Sequence, residues 1–113
     1  MNSHILVAKN HKTMEVKVQS IRFVSDQKLN QFITQKVNKL SLFFDNILDS
    51  EVFLKIDSAN KNDNKIVEIK LNLPGKDLFA KKQCNTFEAA TDEAVDALRR
   101  QIKRHKGKLY VKN

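Results

Sequence analysis

Cysteine occurs once in this chain, proline once and glycine twice. The single thiol, Cys84, excludes an internal disulfide framework and fits a reducing cytosol. So little proline and glycine leaves no room for a long flexible linker and assigns most of the chain to helix and strand. No hydrophobic run is long enough to span a bilayer, and none has the form of a secretory signal's apolar core. Acids are the scarcer charge: 13 Asp and Glu stand against 21 Lys and Arg, a formal net charge of +8 on 113 residues. That excess is the electrostatic footprint of a polyanion binder, with an acidic membrane surface as the other partner it would suit. The length is that of one domain, enough to bury about two-thirds of its unfolded surface.

Anions run out at Asp96. From Leu98 to Lys108 the sequence holds six cations and no acid: Arg99, Arg100, Lys103, Arg104, Lys106 and Lys108. On a helical wheel at about 100° per residue, Phe87, Ala90, Thr91, Ala94, Val95, Leu98 and Ile102 share one arc. Arg99, Arg100, Lys103 and Arg104 share the other. One face can bury itself while the opposite face presents a basic ridge. The plainer reading is helix electrostatics, since Glu88, Asp92, Glu93 and Asp96 fill the first half and cations complement the far end of the dipole. Asp96 and Arg100 also form an i,i+4 pair. Two or three cations would satisfy the dipole, and this run continues past a helix end expected at Gly107.

Residues 1–13 lack sustained periodicity and read as a disordered extension, with His4 and His11 as solvated tail residues. Met14, Val16 and Val18 alternate with polar residues, as in a half-buried strand, and the phase shift that gives Ile21 and Phe23 predicts a bulge or bend. Ser25 reads as an N-cap with Asp26 in the first turn. The pattern is then helical to about Phe44, with Leu29, Phe32, Ile33, Val37, Leu40, Phe43 and Phe44 on one arc. Lys36 projects inside that arc, either snorkelling to water or aimed at a ligand. Val52, Leu54 and Ile56 mark a second strand, and Val67, Ile69, Leu71 and Leu73 a third. Pro74-Gly75 predicts a hairpin, and Leu78 to Cys84 a fourth strand with Lys81 and Lys82 near its middle. Asn85, with Glu88 as its box partner, is the expected cap of the last helix. The order β-α-β-β-β-α predicts a two-layer α+β domain, a mostly antiparallel four-stranded sheet with two helices on one face. Lys17, Lys55 and Lys70 mark the other sheet face as solvated.

Met14 to Leu109 resembles the short form of the ribosome hibernation promoting factor family, which includes ribosome-associated inhibitor A. In the first helix, Phe32-Ile33, Lys36-Val37, Lys39-Leu40 and Phe43-Phe44-Asp45 are similar to the family's aromatic–aliphatic, Lys-hydrophobic-x-Lys-Leu and Tyr-Phe-Asp pattern. Val52-Phe53-Leu54-Lys55-Ile56 resembles its second strand. Glu88, Ala89, Ala90 and Asp92 fit its last helix opening, and Leu98 to Ile102 with Arg104-His105-Lys106 fit its ending. Asn85 stands where Asp is usual, Phe87 where Tyr is usual, and Thr91 where the family has an apolar Ile, which disturbs core packing.

The resemblance implies a domain of residues 14–109, followed by a basic tail of residues 110–113, that binds the small ribosomal subunit and its ribosomal RNA. Its place would be the channel used by mRNA and tRNA, where it would compete with both, block translation and preserve idle ribosomes in the cytoplasm. Lys36, Lys39, Arg100, Arg104, Lys106 and Lys108 match family cations, and Arg22 stands at a polar or basic family position after the first strand. Arg99, Lys103, Lys81 and Lys82 join them on charge and face alone. The sequence ends at Asn113, without the second domain by which long-form members dimerise, so a monomer is expected. No cofactor, metal or small-molecule substrate is implied. Phosphate contacts would gain affinity by releasing counterions, with Arg also able to fork onto phosphate oxygens.

Two other classes compete. A double-stranded-RNA binding domain also lays two helices on one sheet face, but lacks the leading strand Met14–Phe23 and the lysine spacing of the first helix. An enzyme would need more than His105, which lies near the core arc, and Cys84, which precedes a helix N-terminus with no partner base. No glycine-rich phosphate loop or Cys/His metal spacing accompanies them.

Overall fold

Alternating apolar residues build the sheet. In the computed structural model, which describes residues 14–110, the elements are β1 (Glu15–Ser20), α1 (Gln27–Asn38), a 3-10 helix (Lys39–Leu42), β2 (Asp49–Ile56), β3 (Lys65–Leu73), β4 (Lys76–Cys84) and α2 (Phe87–Tyr110). The expected extension 1–13 and the tail beyond Tyr110 lie outside the described residues, as do the side chains of 108–110.

The four strands lie in sequence order. β1 runs parallel to β2 because α1 carries the chain back between them, while β2–β3 and β3–β4 are antiparallel. The hairpin at Pro74-Gly75 pairs Leu73 with Lys76, and Gly75 supplies the positive φ of 76° that the turn requires. Period-two alternation sends Val52, Leu54, Val67, Ile69, Leu71, Leu73, Leu78 and Ala80 to one face. There they meet Ile33, Val37 and Leu40 from the first helical segment, and Phe87, Ala90, Ala94, Leu98 and Ile102 from α2. α2 packs on β3 and β4, while α1 packs on β1 and alongside α2. This is the expected two-layer α+β domain.

The element ends differ from the sequence reading in instructive ways. Asp26, not Ser25, caps α1, accepting from the Leu29 N–H at 2.8 Å, and Ser25 donates to Asn30 Oδ1 instead. Thr86, not Asn85, caps α2, its Oγ1 accepting from the Ala89 N–H at 3.0 Å. Glu88 sits in the first turn, where the dipole favours an acid. In both cases the helix opens one residue later than the pattern implied, and the neighbouring small polar side chain takes the cap. Of the bulge or bend expected after β1, the structure has the bend, and the strand ends at Ser20. The chain bends through Arg22 at φ 68°, and Phe23 stacks on Phe87 with ring centroids 5.3 Å apart. α2 does not stop at Gly107 but continues to Tyr110.

The largest correction lies in the first helix. The α-helix ends at Asn38 and tightens to 3-10. At about 3.0 residues per turn the arc drawn at 3.6 no longer holds. Phe44 stays buried, but Phe43 turns outward and is 42% exposed, beside Leu42 at 71%. Ile56, at the end of β2, is likewise exposed.

Candidate nucleic-acid interface

The helical layer gathers cations along the seam between α1 and α2. Lys36 crosses that seam to Asp92, with Nζ 3.1 Å from Oδ1, and its ammonium sits 5.5 Å from the Phe32 ring centre. The stem packs and the charge is paired, so the snorkelling alternative describes its apolar part and the seam its tip. One turn on, Lys39 stands exposed at the start of the 3-10 helix. On α2, Asp96 holds two arginines: Arg99 Nη2 lies 3.0 Å from Oδ1, and Arg100 Nη1 contacts Oδ2. Hydrogen bonding from Arg100, reinforced by Arg99, holds the Asp96 carboxyl below its ordinary pKa. The Arg99 guanidinium also lies 5.7 Å from the centre of the Phe43 ring. Lys103 and Arg104 point to solvent, away from the carboxylates that hold Lys36, Arg99 and Arg100.

The end of α2 is tied to the end of the 3-10 helix. Lys106 Nζ donates to the Phe43 carbonyl at 2.7 Å, and the His105 ring meets Phe44 edge-on with centroids 5.4 Å apart. A cation on a last-turn carbonyl satisfies an orphan acceptor. His105 is therefore a packing residue, and Lys106 reaches the seam already hydrogen-bonded. Between the helices lies an open groove of about 240 Å³, with Leu40 and Val95 in its floor, Leu42 and Phe43 on one lip, and Lys36, Lys39, Asp92, Asp96 and Arg99 around it.

Lys36, Lys39, Arg99, Arg100, Lys103, Arg104 and Lys106 thus share the α1–α2 layer. The structure sets the remaining candidates elsewhere. Arg22 lies in the bend after β1, next to the Phe23–Phe87 stack at the start of α2. That places it about 24 Å along the helix axis from Lys103. Lys81 and Lys82 project to opposite sides of β4. Lys81 joins Lys55 around Glu68 on the open sheet face, at 3.9 Å and 3.1 Å, while Lys82 takes the helix side. They cannot serve one surface together. Lys108 lies in the last turns of α2, with its side chain outside the described residues.

The open sheet face interleaves Lys17, Lys55, Lys70 and Lys81 with Glu15, Asp49, Glu51, Glu68 and Asp77, so its charge nearly cancels. The positive excess lies on the helices and chain ends. The Asp96–Arg100 pair forms as its i,i+4 spacing predicts, whereas among features the sequence did not point to are the outward Leu42 and Phe43, and the Lys36–Asp92 pair across the seam. Gln101 is another: its Nε2 donates to the Phe79 carbonyl at 2.9 Å, occupying an acceptor on the outer strand of the sheet. Cys84 carries no activated thiolate. Burial pushes its pKa up first, and the neighbouring Glu93 pushes it further. Among the described residues no helix is long and apolar enough to cross a membrane.

The comparisons with known proteins agree with this architecture. A ribosome hibernation promoting factor from Pseudomonas putida is 28% identical over 95 residues, which cover 84% of this chain and 89% of that protein. One from Klebsiella oxytoca is 32% identical over 81 residues, covering 72% of this chain and 81% of the relative. A solved structure of a ribosomal subunit interface protein from Coxiella burnetii superposes with a TM-score of 0.74 at 18% identity, over 83% of this chain and 99% of that one, and so shares the fold. Residues 16–110 match the family described as Sigma 54 modulation protein / S30EA ribosomal protein, and the chain belongs to that family.

Proposed function

We propose that this protein is a ribosome hibernation factor: it binds the small ribosomal subunit in the channel used by mRNA and tRNA, blocks translation and preserves idle ribosomes. The observation that carries the reading is the segregation of charge. Seven family- or face-selected cations lie on one helical layer, and the opposite sheet face is nearly neutral. Relatives named for ribosome hibernation supply the partner. A protein bound to ribosomes works in the cytoplasm.

The mechanism follows from the polymer. Ribosomal RNA around the decoding region is a concave array of phosphates, and Lys and Arg gain affinity there by releasing condensed counterions. Recognition of structured RNA rests on shape and backbone, so a small rigid domain can exclude tRNA by occupying the same phosphate surface. Lys39, Lys103 and Arg104 are the cations best placed to meet phosphate directly. Arg99 and Arg100 can exchange Asp96 for a phosphate oxygen, and Lys36 can exchange Asp92.

The test is gradient sedimentation of the protein with ribosomes and separated subunits, with and without deacylated tRNA. Co-sedimentation with small subunits that tRNA reverses is the expected result. Affinity should fall with salt along a log–log slope of about −0.7 to −0.9 per phosphate neutralised. Arg100→Glu with Arg104→Glu should abolish co-sedimentation and relieve inhibition of translation in vitro, while Glu68→Lys on the open face should not. Full binding by the double reversal, or equal affinity for any RNA duplex, would overturn the reading.

A further inference from the structure

The groove between the helices is not a purely basic surface, and its composition points beyond phosphate. Its floor and lip are apolar, formed by Leu40, Val95, Leu42 and Phe43, and two carboxylates, Asp92 and Asp96, stand at its wall. Those acids are paired with Lys36, Arg99 and Arg100, so the wall offers hydrogen-bond acceptors beside its cations, and a phosphate backbone alone would use neither them nor an exposed aromatic ring. At about 240 Å³ the groove is smaller than the ~300–1,000 Å³ pockets that take drug-sized ligands, which suits a single planar ring system.

We propose that this groove receives one unstacked nucleotide of the RNA, its base on Phe43, Leu42 and Val95 and its phosphate on Lys39. The inference rests on the reading that the helical layer meets RNA. Bases stack readily on aromatic rings and guanidinium planes, and Arg99 over Phe43 offers both in one place. Each carboxylate has about four lone-pair sites. Asp92 gives Lys36 one contact and Asp96 gives one each to Arg99 and Arg100, so both keep acceptor capacity toward the groove. A carboxylate at the base edge accepts from an exocyclic amine, as in recognition of cytosine N4. The groove therefore prefers cytosine, adenine or guanine over uracil. Lys39 lines the groove from the first helical segment and is exposed, where the phosphate is left.

The test does not need the ribosome. The full chain, labelled with ¹⁵N, is titrated with CMP, GMP, UMP and ribose 5-phosphate, and amide shifts are followed. CMP and GMP should shift Leu42, Phe43 and Val95, UMP should do so more weakly, and ribose 5-phosphate should leave those three unmoved. Val95→Trp fills the groove, and Leu42→Glu alters an already exposed position that the fold tolerates. Either should weaken CMP binding by roughly 5-fold or more, the lower end of what a base–aromatic contact controls. Asp92→Asn with Asp96→Asn should erase the preference for CMP over UMP. The proposal is overturned if ribose 5-phosphate moves the same amides as CMP, if no nucleotide moves them, or if both groove variants bind CMP unchanged. Nucleotide binding that survives in a protein that ignores small subunits would sink the ribosomal reading and leave the groove assignment standing.

Discussion

Replacing Thr91 by valine should make this protein more stable. Thr91 is fully buried on the α2 face that packs on the sheet, and its Oγ1 has no hydrogen-bond partner. A hydroxyl buried in that state costs about 1–3 kcal/mol by mutational measures. Valine keeps the β-branched shape, replaces the hydroxyl with a methyl of similar size and opens no cavity. Helix propensities of the two residues are nearly equal, so the full desolvation term should appear as a gain. The expected change is ~1–3 kcal/mol. In a chain of 113 residues each kcal/mol raises the melting midpoint by roughly 4 °C. Urea denaturation is the direct assay, and the midpoint should rise with no change in the slope m. Thr91→Ala is the control, because it removes the hydroxyl but leaves a void, so it should fall well below valine. The reasoning fails if Thr91→Val is destabilising by 1 kcal/mol or more, on the order of a net hydrogen bond. That result would mean the hydroxyl donates to the preceding helical turn, as threonine can. Co-sedimentation with ribosomes should not change, since Thr91 faces away from the seam.

Four further outcomes are expected. Leu98→Ala, at a site with no solvent exposure in the centre of α2, should cost ~2–5 kcal/mol in the same urea assay. The Asp96 pKa is depressed by Arg100 and Arg99, so its contribution to stability is complete above the unfolded carboxyl pKa and is lost as pH falls through the folded value. Asp96→Asn should flatten that acid limb in melting curves taken across pH, matching the parent below it and falling slightly short of the parent above it. Cys84 should react slowly with iodoacetamide at neutral pH, and the pH midpoint of its alkylation should lie above that of a free thiol; Glu93→Gln should lower that midpoint while burial still holds it up. Gly107→Ala should stabilise the end of α2 by about 0.5–1 kcal/mol, because a β-carbon there meets no atom within 4 Å and the residue is helical.

Most of the fold was legible because its signals are local and repeated. Val67, Ile69, Leu71 and Leu73 alternate with Glu68, Lys70 and Asn72, Pro74-Gly75 closes the hairpin with the one residue that accepts its positive φ, and Phe87 to Ile102 keeps one apolar arc. The parallel pairing of β1 with β2 follows from a helix lying between two strands. Caps were read one residue early because Ser25-Asp26 and Asn85-Thr86 each offer two competent side chains, and sequence carries no measure of which one the first turn reaches. Lys81 and Lys82 show the same limit in a strand. Charge and face group them in the sequence reading, whereas a period of two divides them between faces.

The site was less legible than the fold because it depends on where a period changes. Drawn at a constant helical repeat, Phe43 belongs to the core with Leu40 and Phe44. The shift to 3-10 at Lys39 breaks that arc, and the reason lies in residues distant in sequence. Asn38 Oδ1 accepts from the Met14 N–H at 3.0 Å, and Ser41 Oγ donates back to the Asn38 carbonyl at 2.7 Å. Across the seam, Lys106 holds the Phe43 carbonyl and His105 packs on Phe44. Apart from the local Ser41 bond, these contacts come from Met14 just before β1 and from the end of α2, and no window of sequence around Lys39 contains them. They turn one phenylalanine out beside Leu42 and leave an apolar floor among cations. The same contacts fix the turn of α2 that leads into Gly107. That turn is anchored by His105 and Lys106, and the propensity cost of one glycine, about 1 kcal/mol, does not end the helix there. The long second helix and the early end of the first α-helix are therefore one arrangement, and the groove lies where they meet.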